Sequence, residues 1–357
     1  MYRSQNTENI PYTKAEQAIF DGMVAAVKVR HESRATGRSY GHDVVRYYRF
    51  LQSRPDLRAA TSEAKVQAYL THLAPHVAAK TQNQHLCAIK RYYEQVRGQP
   101  LGDLGKWAYA KVPQRAPVWL NQAETRRLLG VLPGTWNLIG RVCYGSGLRL
   151  MELMRLRIQH IDLEKRTVFI LGGKGDKDRV VPLAGAVIAD LAAHMQRVRA
   201  LWESDQAAGR PPVHLPDGLE RKYPNAGREW AWFWLWPGRN LSTDPQTGTV
   251  RRHHVQENGF QKAIKAASSR AAIGKRVKVH TLRHSFATHF LEAGGSVHVL
   301  QQLLGHAHLE TTSIYLHCLP GLVTGARSPL DDLPGQVLPF APAFRAEPAS
   351  PAVARFG

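Results

Sequence analysis

The chain has 357 residues, 43% apolar and 21% charged, a globular balance that excludes wholesale disorder and a coiled-coil rod. Its length predicts about two domains, each large enough to bury a core. Lys and Arg number 48 against 28 Asp and Glu, a formal net charge of +20, so the expected partner is a polyanion, nucleic acid before an anionic membrane surface. The excess is spread along the chain, with 18 basic and 9 acidic residues in 1–116 and 30 and 19 beyond. No stretch approaches the roughly 18 apolar residues of a membrane helix, and the N-terminus lacks the form of a signal peptide. Cys87, Cys143 and Cys318 are far apart and form no CxxC, so neither a disulfide framework nor a zinc module is expected. A reducing, cytosolic-type compartment fits.

Residues 14–97 read as four helices. AEQAIFDGMVAAVKVRH places Ile19, Met23, Val24 and Val27 on one stripe, and HDVVRYYRFLQ does so with Val44, Tyr47, Tyr48 and Leu51. TSEAKVQAYLTHLA starts at a Thr61 or Ser62 cap, and Glu16 and Glu63 suit first turns. KTQNQHLCAIKRYYEQVRG ends at Gly98, a C-cap. Glycines and prolines then break the pattern through a linker that carries Lys106, Lys111 and Arg115.

A second domain begins near Leu120. Asn121 caps QAETRRLLGVL, Trp136–Tyr144 is helical up to the Gly145-Ser146-Gly147 break, and LMELMRLR is a further helix. RTVFIL and RVVPL are β-branched runs across GGKGDKD, a hairpin. A helix follows over AGAVIADLAAHMQRVRALW. Residues 203–258 are less regular and hold four of the eight tryptophans within 230–236. Helices return at FQKAIKAASSRAA, TLRHSFATHFLEAG and SVHVLQQLLG, the last with Val297, Leu300, Leu303 and Leu304 on one face. From Arg327 the chain is proline-rich and reads as an extended tail.

No familiar cofactor device is present. GGKGDKDR lacks the GxxxxGK[ST] spacing and joins two strands. His280 and His284 are four apart, but no Cys or carboxylate set completes a metal site. What remains is a set of basic groups and a tyrosine. Arg149 follows the glycine break, Lys174 sits at the hairpin tip, and His280 and Arg283 lie in HTLRH. His306 follows Gly305, and Tyr315, on a short helix capped by Thr311 or Thr312, comes nine residues later. Such a set suits transesterification at a DNA phosphodiester. A phenol is a weak nucleophile that needs help losing its proton. Guanidinium forks can bind the charge that gathers on non-bridging oxygens, and a lysine can protonate the departing 5′ oxygen. Taken singly, each residue has a plainer reading as a solvated charge or a core side chain; the ordered set carries the inference.

YGSGLRLMELMRLR, GGKGDKDRVVPL, HTLRHSFATHFLEAG and LLGHAHLETTSIYLH, in that order, resemble the catalytic domain of tyrosine recombinases over about 120–320. TQNQHLCAIKRYY resembles, more weakly, part of the family's helical core-binding domain. The resemblance implies that Arg149, Lys174, His280, Arg283 and His306 serve the nucleophile Tyr315. It also implies a 3′-phosphotyrosyl link, no ATP, metal or other cofactor, a monomer when free, and a homotetramer on two synapsed DNA sites. The fold it implies is mainly α with a small β-sheet: a helical N-terminal domain over 1–100, a linker over 101–119, and a mixed α/β catalytic domain over 120–327. The two domains would form a C-shaped clamp on DNA, with a tail over 328–357, in the bacterial cytoplasm at the nucleoid.

The segment containing GLERKYPNAGREWAWFWLWP and STDPQTGTVRRHHVQENGFQKAI, about 203–258, resembles the insertion of integron integrases, as RSPLDDLP at 328–335 resembles their C-terminus. That family joins gene cassettes at attI and at attC sites, the latter read as a folded single strand with flipped bases. Extrahelical bases need flat partners. Trp232, Pro245, His253 and His254 are the expected platforms, with Arg251 and Arg252 beside them for phosphate, while at least two of the four clustered tryptophans are expected in the core. Alternatives are a phage-type or chromosome-resolving recombinase on duplex sites, a type IB topoisomerase, and a non-catalytic DNA-binding relative.

Overall fold

The helix starts follow their caps. In the computed structural model, which describes residues 11–30, 32–105, 109–113, 116–171, 178–216, 218–245 and 247–316, Thr13 and Glu16 form a reciprocal capping box that opens α1 (Lys14–Val29). Ser33 caps α2 (Arg34–Gln52), and Thr61 caps α3 (Ser62–Leu73). α4 (Ala79–Arg91) continues into a π-helical turn over Tyr92–Val96, and Gly98 follows with φ +62°. The second helix starts eight residues before the expected HDVVRYYRFLQ. Its apolar period is hidden there because glycines make the contact: Gly37 packs on Val24 and Val27, and a Cβ on Gly41 would lie 2.6 Å from the Phe20 ring.

The chain divides into two units, 1–115 and 116–357. The core of the first gathers Tyr47, Phe50, Tyr69, Leu70, Leu86, Ile89 and Tyr93. Leu104 is buried in the same cluster, and the Ala110 backbone exchanges two hydrogen bonds with the Asn83 side chain. The start of the expected linker is therefore anchored on the first unit. Lys106 and Arg115 lie outside the described residues.

The second unit opens with α5 (Gln122–Gly130), capped by an Asn121–Glu124 box, and α6 (Gly134–Ser146), which ends at Gly147 in the left-handed conformation. α7 (Leu150–Met154) is shorter than the expected LMELMRLR helix. It stops because the next residues pair with the tryptophan segment: Leu235 N–H donates to Leu156 O, and Ile158 N–H donates to Phe233 O. A three-stranded antiparallel sheet follows, β1 (Ile161–Asp162), β2 (Thr167–Ile170) and β3 (Arg179–Pro182), in that order, with Val168 opposite Val181. Its tip, including Lys174, lies outside the described residues.

α8 (Ile188–Ala207) leads into the insertion, which holds the one-turn α9 (Leu219–Lys222) and a second hairpin that sequence reading missed, β4 (Pro237–Thr243) and β5 (Val250–His254). α10 (Glu257–Arg270), α11 (Val279–Glu292), α12 (Val297–Leu304) and α13 (Leu309–Ser313) complete the unit. The architecture is mainly helical with small sheets. Trp234 and Trp236 are buried in the core, as expected of at least two of the four. Among the described residues no helix is long and apolar enough to cross a membrane.

Gly147 carries a checkable constraint. Its φ is +61°, and a Cβ there would lie 2.4 Å from the Phe286 ring. Left-handed strain and overpacking together give Gly147→Ala a cost of about 2–4 kcal/mol. Denaturant titration is expected to show a lower unfolding midpoint for this variant; an unchanged midpoint means that the turn tolerates a side chain.

Candidate active site

Glu152 organises the first half of the site. As the third residue of α7 it reaches back to accept from the Arg149 backbone N–H at 2.8 Å, and its Oε1 accepts from Arg149 Nη1 at 2.8 Å. Arg179, at the start of β3, donates to the same carboxylate at 3.0 and 2.6 Å. Burial alone would raise the Glu152 pKa; the Arg179 bonds, the Arg149 backbone N–H and the two positive charges outweigh it and hold the carboxyl at about 2. Arg149 Nη2 donates to Gly305 O, and Arg179 Nε donates to Leu303 O. The end of α12 is thus tied to both arginines. Gly305, left-handed at φ +60°, sits so close that a Cβ would lie 3.2 Å from Arg179.

Arg283, on α11, is 1% exposed. It donates to Gly147 O at 2.8 Å and to Leu304 O at 2.6 Å. Burial, then Arg149, lowers its pKa to about 10, still far above neutrality, so it stays a cation. Its Nη2 lies 3.2 Å from His306 Nε2. A guanidinium only donates, so Nε2 accepts, and the His306 proton resides on Nδ1, 2.9 Å from Thr312 Oγ1. Burial, then Arg283 and Arg149, lowers the His306 pKa to about 4, consistent with this neutral tautomer.

Tyr315 is 1% exposed, and its ring lies parallel to His306 at 6.4 Å. It stands just past α13, whose N-cap residue is His308. This corrects the expected placement of Tyr315 on a helix capped by Thr311 or Thr312: both threonines lie inside the helix, and Thr312 serves His306 instead. The Tyr315 hydroxyl is 2.9 Å from His284 Nδ1. His280, one turn earlier, lies edge-on to His284 at 4.7 Å. Its basicity is lowered by desolvation, then by Arg283 and Arg149.

The structure thus brings together Arg149, His280, Arg283, His306 and Tyr315; Lys174 lies outside the described residues. Sequence reasoning missed Glu152, Arg179, His284 and Thr312 as partners. Glu152 was detectable as the carboxylate three residues after Arg149, and His284 as the histidine one turn after His280; nothing local assigned Arg179 or Thr312 to these partners.

The insertion residues separate into two kinds. Arg251 and Arg252 do not offer their guanidiniums for phosphate, contrary to expectation. Arg251 is 7% exposed and paired with Glu220 and Asp244, and Arg252 is 8% exposed and bidentate on Asp205. His254 is buried too, its Nδ1 bonded to Val255 O, which corrects its place as a platform. His253 is exposed and stacked on Trp234 at 5.4 Å, Pro245 is exposed in the β4–β5 turn, and Trp232 is half-buried with Arg157 against its ring at 5.5 Å.

The neutral histidines set the acid stability. His160, His284 and His306 are each lowered from 6.5 to about 4, chiefly by burial. Between these values the unfolded chain binds more protons than the folded one, so stability is full above about pH 6.5 and is lost as pH falls toward 4. Glu152 adds a loss of the same sign between 4.5 and about 2. Denaturant midpoints measured from pH 8 to 4 are expected to fall below pH 6.5; a flat or rising profile contradicts the neutral assignment.

Comparison with known proteins bears on the family and the fold. The phage integrase family matches residues 119–320, and the phage integrase N-terminal SAM-like domain matches residues 19–103. An integrase/recombinase of Escherichia coli and one of Pseudomonas aeruginosa are each 40% identical over 318 residues, 88% of this chain and 94% of the relative. A solved structure of the XerH site-specific recombinase, bound to a palindromic difH substrate after cleavage, is similar with a TM-score of 0.59 at 19% identity, covering 84% of this chain and 81% of that one. The last similarity speaks for the fold; the first two matches and the 40% identity over most of both chains go further, and the chain belongs to the phage integrase family as a site-specific recombinase of the tyrosine type.

Proposed function

We propose that this recombinase cleaves and rejoins DNA through a 3′-phosphotyrosyl link on Tyr315. The observation that carries the reading is the convergence of two guanidiniums, a neutral His306 and a phenol from four separate segments of the chain. In the proposed step the Tyr315 oxygen bonds to phosphorus, the bond from phosphorus to the 5′ oxygen breaks, and Lys174 protonates the leaving oxygen. Arg149 and Arg283 bind the non-bridging oxygens, where charge gathers, with His280 and His306 beside them. The 5′ hydroxyl of a partner strand reverses the step, and a tetramer on two synapsed sites provides that partner. On a suicide substrate, Tyr315→Phe is expected to keep DNA binding, which rests on phosphate contacts, and to abolish the covalent complex. A covalent complex with the Phe variant overturns the assignment.

We further infer an integron-type substrate: gene cassettes exchanged between attI and an attC site read as a folded single strand. In support, the insertion leaves Pro245 and His253 exposed, with Trp234 backing His253 and Trp232 half-buried beside Arg157. Base–aromatic stacking is worth about 1–3 kcal/mol per base, roughly a 5- to 150-fold change in affinity. A hairpin with bulged bases is therefore expected to outcompete the matching perfect duplex at one ionic strength. Trp232→Ala and His253→Ala are expected to weaken hairpin binding in that range while sparing the duplex. Preference for the duplex, or equal losses on both forms, favours a recombinase of duplex sites.

A further inference from the structure

We propose that His284 takes the phenol proton of Tyr315 as its oxygen attacks the phosphodiester, and returns it when the strand is rejoined. The proposal rests on the reading of Tyr315 as the nucleophile. His284 Nδ1 lies 2.9 Å from the Tyr315 hydroxyl, within reach for direct transfer, with the rings 5.6 Å apart and inclined at 51°. With its own proton on Nε2, neutral His284 accepts the phenol's hydrogen at Nδ1. His306 is placed differently. Its ring is parallel to Tyr315, its Nε2 accepts from Arg283, and its Nδ1 faces Thr312. His306 is therefore oriented for the phosphate side of the reaction.

The surrounding charge makes the transfer dependent on substrate. His284 faces His280 from the preceding turn of its own helix, Arg283 beside it, His306 from the segment after α12, and Tyr315. Burial, then His280, Arg283 and His306, lowers its basicity, to a pKa of about 4. A phosphodiester held by Arg149 and Arg283 brings negative charge to the same place and raises the basicity of the imidazole. The base is weak in the free protein and stronger when the scissile phosphate is bound. In the balanced step, the phenol proton goes to Nδ1, the bond from Tyr315 oxygen to phosphorus forms, and the electron pair of the broken bond leaves on the 5′ oxygen, protonated by Lys174.

The test is single-turnover cleavage of a suicide substrate by the full chain. His284→Asn keeps a polar group near Nδ1 but cannot take a proton, and is expected to lose about a hundredfold or more in rate with DNA binding unchanged. Replacing Tyr315 by 3,5-difluorotyrosine, a more acidic phenol, is expected to restore much of that loss, which it would not do for a residue that only holds the ring. A 5′-bridging phosphorothiolate is not expected to rescue, since its leaving group is independent of His284. A wild-type rate in His284→Asn, or a loss that difluorotyrosine leaves untouched, overturns the proposal. A second measurement needs no change at His284. With difluorotyrosine at 315 and His284 kept, the acid limb of the rate profile is expected to stay in place, because it titrates the imidazole. A limb that moves with the phenol overturns the proposal. Loss of covalent complex in Tyr315→Phe establishes separately that the nucleophile is correctly assigned; covalent complex there sinks the underlying reading instead.

Discussion

Glu152 places one negative charge between two guanidiniums, and the rest of the site is arranged around that contact. Neither Arg149 nor Arg179 could sit beside the other in a partly buried pocket without it, since like charges at that range repel and burial enlarges the repulsion. The carboxylate accepts four hydrogen bonds, two from each arginine residue. Arg149 then reaches the carbonyl of Gly305 through Nη2, and Arg179 reaches that of Leu303 through Nε. Three parts of the chain far apart in sequence, the start of α7, the start of β3 and the end of α12, are fixed to one another through Glu152 and the two arginines it holds. The base of the hairpin that carries Lys174 is one of them.

The same economy governs the histidines. A buried cation without a carboxylate is costly, and Arg283 is held by backbone carbonyls instead. Burial, with the nearby charge of Arg283 adding to it, keeps His306 and His284 neutral, so the imidazoles offer lone pairs rather than adding charge. The cations are fixed and the imidazoles unprotonated; on the proposed reading of the site, this is a preformed positive field for the phosphodiester.

Much of this was legible in the sequence, and the failures have physical causes. The caps at Thr61 and Asn121, the first hairpin and the succession of glycine, arginine, histidine and tyrosine motifs are local signals, set by spacings of a few residues. The early start of α2 was hidden because Gly37 and Gly41, not large apolar residues, make its contact with α1. Arg179 and Thr312 owe their roles to residues distant in the chain or to a turn that places them, and no periodicity reports that. Arg251 and Arg252 were misread for a related reason. In a chain of net charge +20, adjacent arginines suggest phosphate, and only the fold brings Asp205, Glu220 and Asp244 against them.

Those ion pairs also explain how an irregular, tryptophan-rich insertion keeps a definite surface. Arg157 is 4% exposed and lies 3.9 Å from the Trp234 ring, donating to the carbonyls of Trp232 and His214. Burial lowers its pKa to about 10, so it remains a cation held by an aromatic face and two carbonyl dipoles. With Leu156 and Ile158 pairing to the same segment, the insertion is sewn onto the chain only a few residues after Arg149. Buried arginines therefore stabilise its underside, while His253 and Pro245 remain outside. On the proposed reading, a basic composition is divided between two tasks: charges held inside, which shape the surface, and charges gathered in the site, which would meet the substrate.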